Sequence, residues 1–106
     1  MKEELIAFYT AKLAKEKGFD WTGRQGWSLK GNLEGYNKTN YPAPTQALLQ
    51  KWLRENHNID INVNKDSNEM YHCMVYNNIS VCGPFFSLIY EESLEEGLQK
   101  ALELVK

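Results

Sequence analysis

The chain has 106 residues, 42% hydrophobic and 25% charged, which is typical of one globular domain rather than of a disordered chain. Its 12 basic and 14 acidic residues leave a net charge of −2, so neither nucleic acid nor an anionic membrane is an expected partner. The first residues are acidic, and no apolar run approaches the roughly 18 to 20 residues that span a bilayer. We therefore expect neither a secretion signal nor a membrane span, and we expect a cytoplasmic protein.

Two helices are predicted in the first half of the chain. The first covers 3–17, where apolar side chains recur at helical spacing, and Gly18 is placed to end it. The second begins at Pro44-Thr45, carries an apolar stripe that includes Trp52, and stops near Asn56.

A third helix closes the chain. Its apolar stripe reaches back to Tyr90, so we favour a start there over the capping box that Ser93 and Glu96 would form. Gly97 inside this helix is unfavourable by about 1 kcal/mol relative to alanine, which indicates close packing at that point.

Strand periodicity fills the region between the second and third helices. Apolar and polar residues alternate over 59–64, which predicts a strand with one buried face. Segments 70–76 and 79–82 predict a hairpin with Asn77-Asn78 as a two-residue turn, which pairs Tyr76 with Ile79 and Cys73 with Cys82. Gly83-Pro84 is expected to break the second strand, and 85–89 forms either a short further strand or the entry into the last helix.

These elements predict a single α+β domain over 1–106. Three helices pack on a small antiparallel sheet of three to four strands, in the order α-loop-α-β-β-β-α. Both faces of the hairpin carry apolar residues, so we expect the helices to cover one face and another subunit to cover part of the other. A homo-oligomer is therefore expected.

The cysteines and histidines predict no chemistry of their own. In the predicted register Cys73 and Cys82 are close enough for a disulfide, whereas a cytoplasmic location favours two buried thiols. His72 would point to the opposite face of its strand and His57 lies far along the chain, so no metal site is expected. No motif frames a nucleophile. We assign no catalytic residue and no cofactor.

Segment 20–43 follows neither the helical nor the strand period, and we predict an irregular loop rich in glycine and aromatic residues. Its rings offer faces for stacking, its basic side chains suit phosphate or carboxylate, and its glycines let backbone amides approach a ligand. The predicted ligand-binding residues are Trp21, Arg24, Trp27, Lys30, Tyr36, Lys38 and Tyr41. Two alternatives stay open: the tryptophans fill the core while the glycines only make turns, or the loop contacts a protein.

Three segments carry a resemblance to known sequences: AKLAKEKGF (11–19), PTQALLQKWLRENHNI (44–59) and YEESLEEGL (90–98). They resemble a group of small uncharacterised proteins encoded by phages and prophages of gut bacteria, with 20–43 as the variable part. The resemblance implies a phage-encoded accessory protein in the bacterial cytoplasm, a class that includes inhibitors of host defence and proteins that sequester nucleotide immune signals.

Two functions follow as expectations. The first is a non-catalytic protein that sequesters a small nucleotide-like ligand through the 20–43 loop. The second is a protein-interaction module that inhibits or adapts a host protein.

Overall fold

A computed structural model describes residues 4–19, 23, 25–37 and 40–105, which form three helices and two antiparallel sheets of three strands each. The elements confirm the predicted α+β class. In chain order they are α1 (Phe8–Glu16), β1 (Gln25–Trp27), β2 (Leu33–Gly35), β3 (Tyr41–Pro42), α2 (Gln46–His57), β4 (Asp60–Lys65), β5 (Tyr71–Tyr76), β6 (Val81–Ser87) and α3 (Tyr90–Leu104).

Helix α1 begins later than the sequence predicts. The residues before it are extended and pair with the chain just ahead of α2: Ile6 N donates to the Pro44 carbonyl at 3.0 Å, and Gln46 N donates to the Glu4 carbonyl at 2.8 Å. These bonds hold the backbone of 4–6 out of the helix. The predicted start at Glu3 lies outside the described residues, and the described helix begins at Phe8.

Helices α2 and α3 lie close to their predicted limits. Thr45 caps α2, since its hydroxyl accepts from Leu48 N at 3.2 Å, and Asn58 ends the helix in the left-handed conformation with φ 53°. Helix α3 starts at Tyr90 as predicted, and the capping-box alternative is wrong. Ser93 is buried instead, and its hydroxyl donates to the Phe85 carbonyl at 2.6 Å.

The second sheet has the order β4-β5-β6, but the predicted hairpin register is wrong. Tyr76 pairs with Val81 rather than with Ile79. The cause is Asn77, whose side-chain oxygen accepts from the backbone N–H groups of Ile79 (2.9 Å) and Ser80 (2.7 Å). These bonds extend the connection to four residues, 77–80, where the sequence predicts two.

The new register separates the two cysteines. Cys73 pairs with Phe85 and Cys82 pairs with Val75, and both thiols are free. Strand β6 also runs through Gly83-Pro84, where the sequence predicts a break. A register shift between Cys73 and Val75 absorbs one extra residue of β6 as a bulge, and an edge strand tolerates a proline without a backbone N–H.

Segment 20–43 is more regular than an irregular loop. Its described part contains β1, β2 and β3, which form a separate antiparallel sheet in the order β2-β1-β3. Each strand is only two or three residues long. Strands this short hold too few residues to show an alternating pattern, so their sequence gives no periodic signal.

Helix α3 packs on the inner face of β4-β5-β6, where Ile61, Cys73 and Val75 are buried. Gly97 confirms the predicted close contact. A Cβ atom added there would overlap Cys73 Sγ and would lie 3.4 Å from Ile61 Cγ2. The helix therefore approaches β5 as closely as a glycine allows.

We expect Gly97→Ala to destabilise the fold although alanine is the better helix former. Alanine gains about 1 kcal/mol of helix propensity, whereas overpacking a close-packed core costs about 1 to 3 kcal/mol. Denaturant unfolding measures the net loss. In a double-mutant cycle, Cys73→Ala removes the overlapping sulfur and should recover part of the loss. Strict additivity of the two substitutions would contradict the contact.

The β4–β5 turn is organised by Asp66. One carboxylate oxygen accepts from Asn68 N (2.8 Å) and Met70 N (3.0 Å), and the other lies 2.5 Å from His72 Nε2. The hydrogen bond with His72, followed by that from Met70, lowers the pKa of the Asp66 carboxyl below its ordinary value. A carboxyl with a lowered folded-state pKa contributes stability above its unfolded pKa and loses it as the pH falls through the folded one.

We therefore expect acid sensitivity from Asp66 below about pH 4. Asp66→Asn keeps an oxygen for the turn but cannot titrate, so its melting temperature should fall less than that of the wild type between pH 5 and pH 3 (about one unit to either side of the ordinary carboxyl value). Asp60→Asn, at an exposed position on β4, is the control and should follow the wild type. Parallel pH profiles for all three proteins would refute the role of Asp66.

Candidate functional site

A cavity of about 660 Å³ lies where the extended segment before α1 meets the first turn of α3. We call it the α1–α3 cavity. Apolar parts of its wall come from Leu5, Trp27 and Ile89, and its carboxylates come from α3 and from Glu4. Among the predicted binding residues that the structure describes, Trp27 borders it. The volume is in the range of small-ligand sites, about 300 to 1,000 Å³.

Glu95 builds the wall of this cavity. One of its carboxylate oxygens accepts from Ala7 N at 2.9 Å and from the Thr10 hydroxyl, and the other accepts from Gln46 Nε2 at 2.9 Å. Gln99 Nε2 donates to the Thr10 hydroxyl at 3.0 Å. The carboxylate thus joins α3 to the start of α1 and to α2. Its two oxygens are occupied by the protein, so its role is structural.

The other carboxylates of the cavity are Glu4, Glu91 and Glu92. Within the described part of the chain none of them forms an ion pair, since the two pairs there are His72 with Asp66 and Lys100 with Glu103. These three negative groups add to the charge of Glu95, whose hydrogen-bond donors are neutral, and make the potential of the cavity negative, which favours a cation and opposes a phosphate.

The Trp27 side chain is held in place by its contacts, but part of its ring stays exposed. Its Nε1 donates to the Ile6 carbonyl at 3.0 Å, and its ring meets Phe8 edge to face at 6.5 Å between centroids. The indole is half-buried and lines the cavity. A partly exposed indole face attracts a positively charged group.

The aromatic residues among the other described candidates pack within the fold. Tyr41 meets Phe8 edge to face at 5.6 Å, and Lys15 Nζ lies 5.5 Å from its ring centroid. Tyr36 packs beside Gly26, where an added Cβ would lie 3.0 Å from the Tyr36 ring and 2.8 Å from the Tyr41 carbonyl oxygen. Lys30 is exposed in the 28–31 turn and does not line the α1–α3 cavity.

Of the seven predicted binding residues, the described structure includes Trp27, Lys30, Tyr36 and Tyr41. Trp27 and Tyr41 share Phe8 as a neighbour, and Tyr36 and Tyr41 both lie beside Gly26. Trp21, Arg24 and Lys38 lie outside the described residues.

Asn40 organises the small sheet, a role that the sequence analysis missed. Its buried side-chain amide donates to Glu34 Oε1 and to the Gly35 carbonyl, both at 2.9 Å, and its oxygen accepts from Asn37 N at 3.0 Å. Lys15 Nζ donates to the Asn40 carbonyl at 2.9 Å and joins this sheet to α1. Gly26 and Asn40, which are both buried, thus support the packing of the described part of segment 20–43.

Cys73 is not an activated thiol. Burial, with a smaller contribution from the Glu96 charge, raises the pKa of the Cys73 thiol to about 11. A thiol with such a pKa stays protonated near neutral pH and is a weak nucleophile. Among the described residues, no three His, Cys, Asp or Glu side chains are grouped closely enough to hold a metal ion.

The sequence analysis also missed the cavity itself. The last helix carries an acidic cluster, Glu91, Glu92, Glu95 and Glu96, which favourable interaction with the helix dipole explains from the sequence alone. Its position opposite Leu5 and Trp27 depends on contacts between the two ends of the chain. Nothing in the local sequence signals those contacts.

Comparisons with models of protein families, with curated proteins and with solved structures give no match to this chain. Over the described residues, the structure has no helix with the length and apolar character that crossing a membrane requires.

Removing the Glu95 carboxylate should destabilise the fold. Glu95→Ala leaves the Thr10 hydroxyl and the Gln46 amide without their acceptor, and we expect a loss of roughly 2 kcal/mol in the free energy of unfolding. Glu103→Ala makes the same change at an exposed position on the same helix and should cost much less. Chemical denaturation compares the two, and equal losses would show that the Glu95 network contributes no special stability.

Proposed function

We propose that this protein is a non-catalytic protein-interaction module that binds a basic, partly apolar segment of a partner protein in the α1–α3 cavity. The observation that carries the proposal is the composition of the cavity wall. An indole and aliphatic side chains lie beside three carboxylates that have no cationic partner within the described residues.

The geometry favours a lysine or arginine side chain that is accompanied by apolar residues. The stem of such a side chain packs on Leu5 and Ile89, while its charged end reaches Glu91 or Glu92. Trp27 offers its ring to the same cation. An arginine is the stronger candidate, because a guanidinium also forms two parallel hydrogen bonds with a carboxylate.

The nucleotide-like ligand remains a prediction, and the described structure favours it less. A phosphate placed in the α1–α3 cavity would face three carboxylates, and Lys30 is not beside it. Two of the aromatic rings that are predicted to stack on a ligand, Trp27 and Tyr41, contact Phe8.

The resemblance to phage-encoded proteins supplies the biological context of the proposal. It supports a host protein as the partner, which the module blocks or adapts, and the bacterial cytoplasm as the place where they meet.

Fluorescence anisotropy with designed peptides tests the cavity. A labelled peptide of alternating leucine and arginine should bind, and its affinity should fall as salt is added because the contact is charged. The double variant Glu91→Gln/Glu92→Gln replaces two of these three carboxylates with neutral amides, so it introduces no positive charge at the start of α3. We expect this double variant to bind about tenfold more weakly, at about 0.2 to 1 kcal/mol per exposed ion pair.

The controls separate charge from fold and from ligand class. Glu103→Gln lies far along α3 from the cavity and should bind like the wild type, whereas a leucine–glutamate peptide should not bind. A mixture of cyclic nucleotides and ADP-ribose derivatives is the competing arm. Tighter binding of a nucleotide than of the basic peptide, or equal binding by the double variant, would overturn the proposal.

A further inference from the structure

The outer face of the β4-β5-β6 sheet carries large apolar side chains that the described residues leave partly exposed. Strand pairing places Tyr76 and Val81 side by side on this face, with Phe86 further along β6. Tyr76 is 36% exposed, Val81 57% and Phe86 51%, and Ile79 at the hairpin tip is 89% exposed. We call these four residues the outer patch.

The two faces of the sheet thus differ in how far they are covered. On the inner face Cys73 and Val75 are fully buried under α3. On the outer face the neighbouring positions of β4 are exposed and polar, at Asp60, Asn62 and Asn64. An apolar centre bordered by polar residues is the composition of a protein interface.

The strand edges favour contact through the face rather than through an added strand. Pro84 lacks a backbone N–H in the middle of β6, and the bulge beside it disrupts the edge, so a continuous ladder with another strand cannot form there. At the other edge, Gln50 Nε2 of α2 donates to the Ile61 carbonyl of β4 at 2.7 Å, so this backbone acceptor is already occupied and cannot pair with an added strand.

The size of the patch is a large part of what a dimer requires. Aromatic side chains bury about 150 to 250 Å² each, and the 1.5 to 3 kcal/mol of a buried aliphatic side chain corresponds to about 60 to 120 Å² at about 25 cal/mol per Å². The exposed fractions of these four residues therefore correspond to roughly 300 Å² of apolar surface. A standard interface takes about 800 Å² from each partner, of which a little over half, roughly 450 Å², is apolar. One outer patch therefore supplies about two thirds of the apolar area that one side of a dimer needs.

The charges of the face allow two identical patches to meet. Apart from His72, which lies 2.5 Å from Asp66, Asp60 is the charged side chain on the described outer face, and it borders the patch as the cross-strand neighbour of Tyr76. A contact centred on β6, the strand at the opposite edge from β4, keeps the two Asp60 carboxylates at its rim. We propose that the occupant of the outer patch is a second copy of this chain, packed sheet on sheet about a two-fold axis.

Such a dimer leaves the α1–α3 cavities free. The cavity is lined by the segment before α1, by Trp27, by Gln46 and by the start of α3, and it takes no residue of the outer patch. The dimer consequently presents two cavities. The proposal stands on the outer patch alone and does not depend on what the cavity binds.

Sedimentation velocity from low to high micromolar concentration tests the dimer. We expect the wild type to change from monomer to dimer over this range. Phe86→Lys removes a half-exposed ring from the patch and places a charge there, and it should weaken dimerisation by at least about thirtyfold, the effect of losing an aromatic hot-spot residue. Leu48→Lys makes the matched change at an exposed position on α2, and this variant should dimerise like the wild type.

Ile79→Lys is the second interface variant, because a nearly fully exposed turn position accepts lysine without loss of the fold. Circular dichroism and melting temperature verify that each variant folds. A wild-type protein that stays monomeric at every concentration would overturn the proposal. So would a dimer that both Phe86→Lys and Ile79→Lys leave unchanged, since its contact would then lie elsewhere.

Discussion

The Glu95 carboxylate is the interaction on which the arrangement of the helices depends. It accepts hydrogen bonds from the backbone at Ala7, from the Thr10 hydroxyl and from the Gln46 amide, and so joins three helices at one point. A carboxylate that is partly withdrawn from water needs such donors to offset the loss of its hydration. The same bonds place the segment 4–7 against α3, and the α1–α3 cavity lies at that junction.

Helix α3 connects the two surfaces to which we assign binding. Its sheet side carries Gly97, which allows contact with Cys73, and Ser93, which donates to the Phe85 carbonyl. Its first turn carries the carboxylates of the cavity. One helix thus fixes the strands whose outer face we assign to a second copy, and it supplies the charges we assign to a partner. The two surfaces share no residue, so neither assignment depends on the other.

The aromatic residues of segment 20–43 show how a fold uses side chains that look available for a ligand. Trp27 and Tyr41 attach the small sheet to α1 through Phe8, and Gly26 allows Tyr36 and Tyr41 to approach. Edge-to-face ring contacts and the burial of large rings stabilise a short sheet that has few hydrogen bonds of its own. Trp27 alone among the described candidates combines this role with an open cavity wall.

Local pattern by itself determined the α+β class, the limits of α2, the start of α3, strand β4 and the close packing at Gly97, because each depends on residues near in sequence. Tertiary structure alone decided the late start of α1, where Ile6 pairs with Pro44, and the cavity, where Ala7 meets Glu95 from 88 positions away. It also decided the hairpin register, which depends on the side chain of Asn77. Periodicity records which face of a segment is apolar, but it does not record which distant group satisfies a backbone N–H.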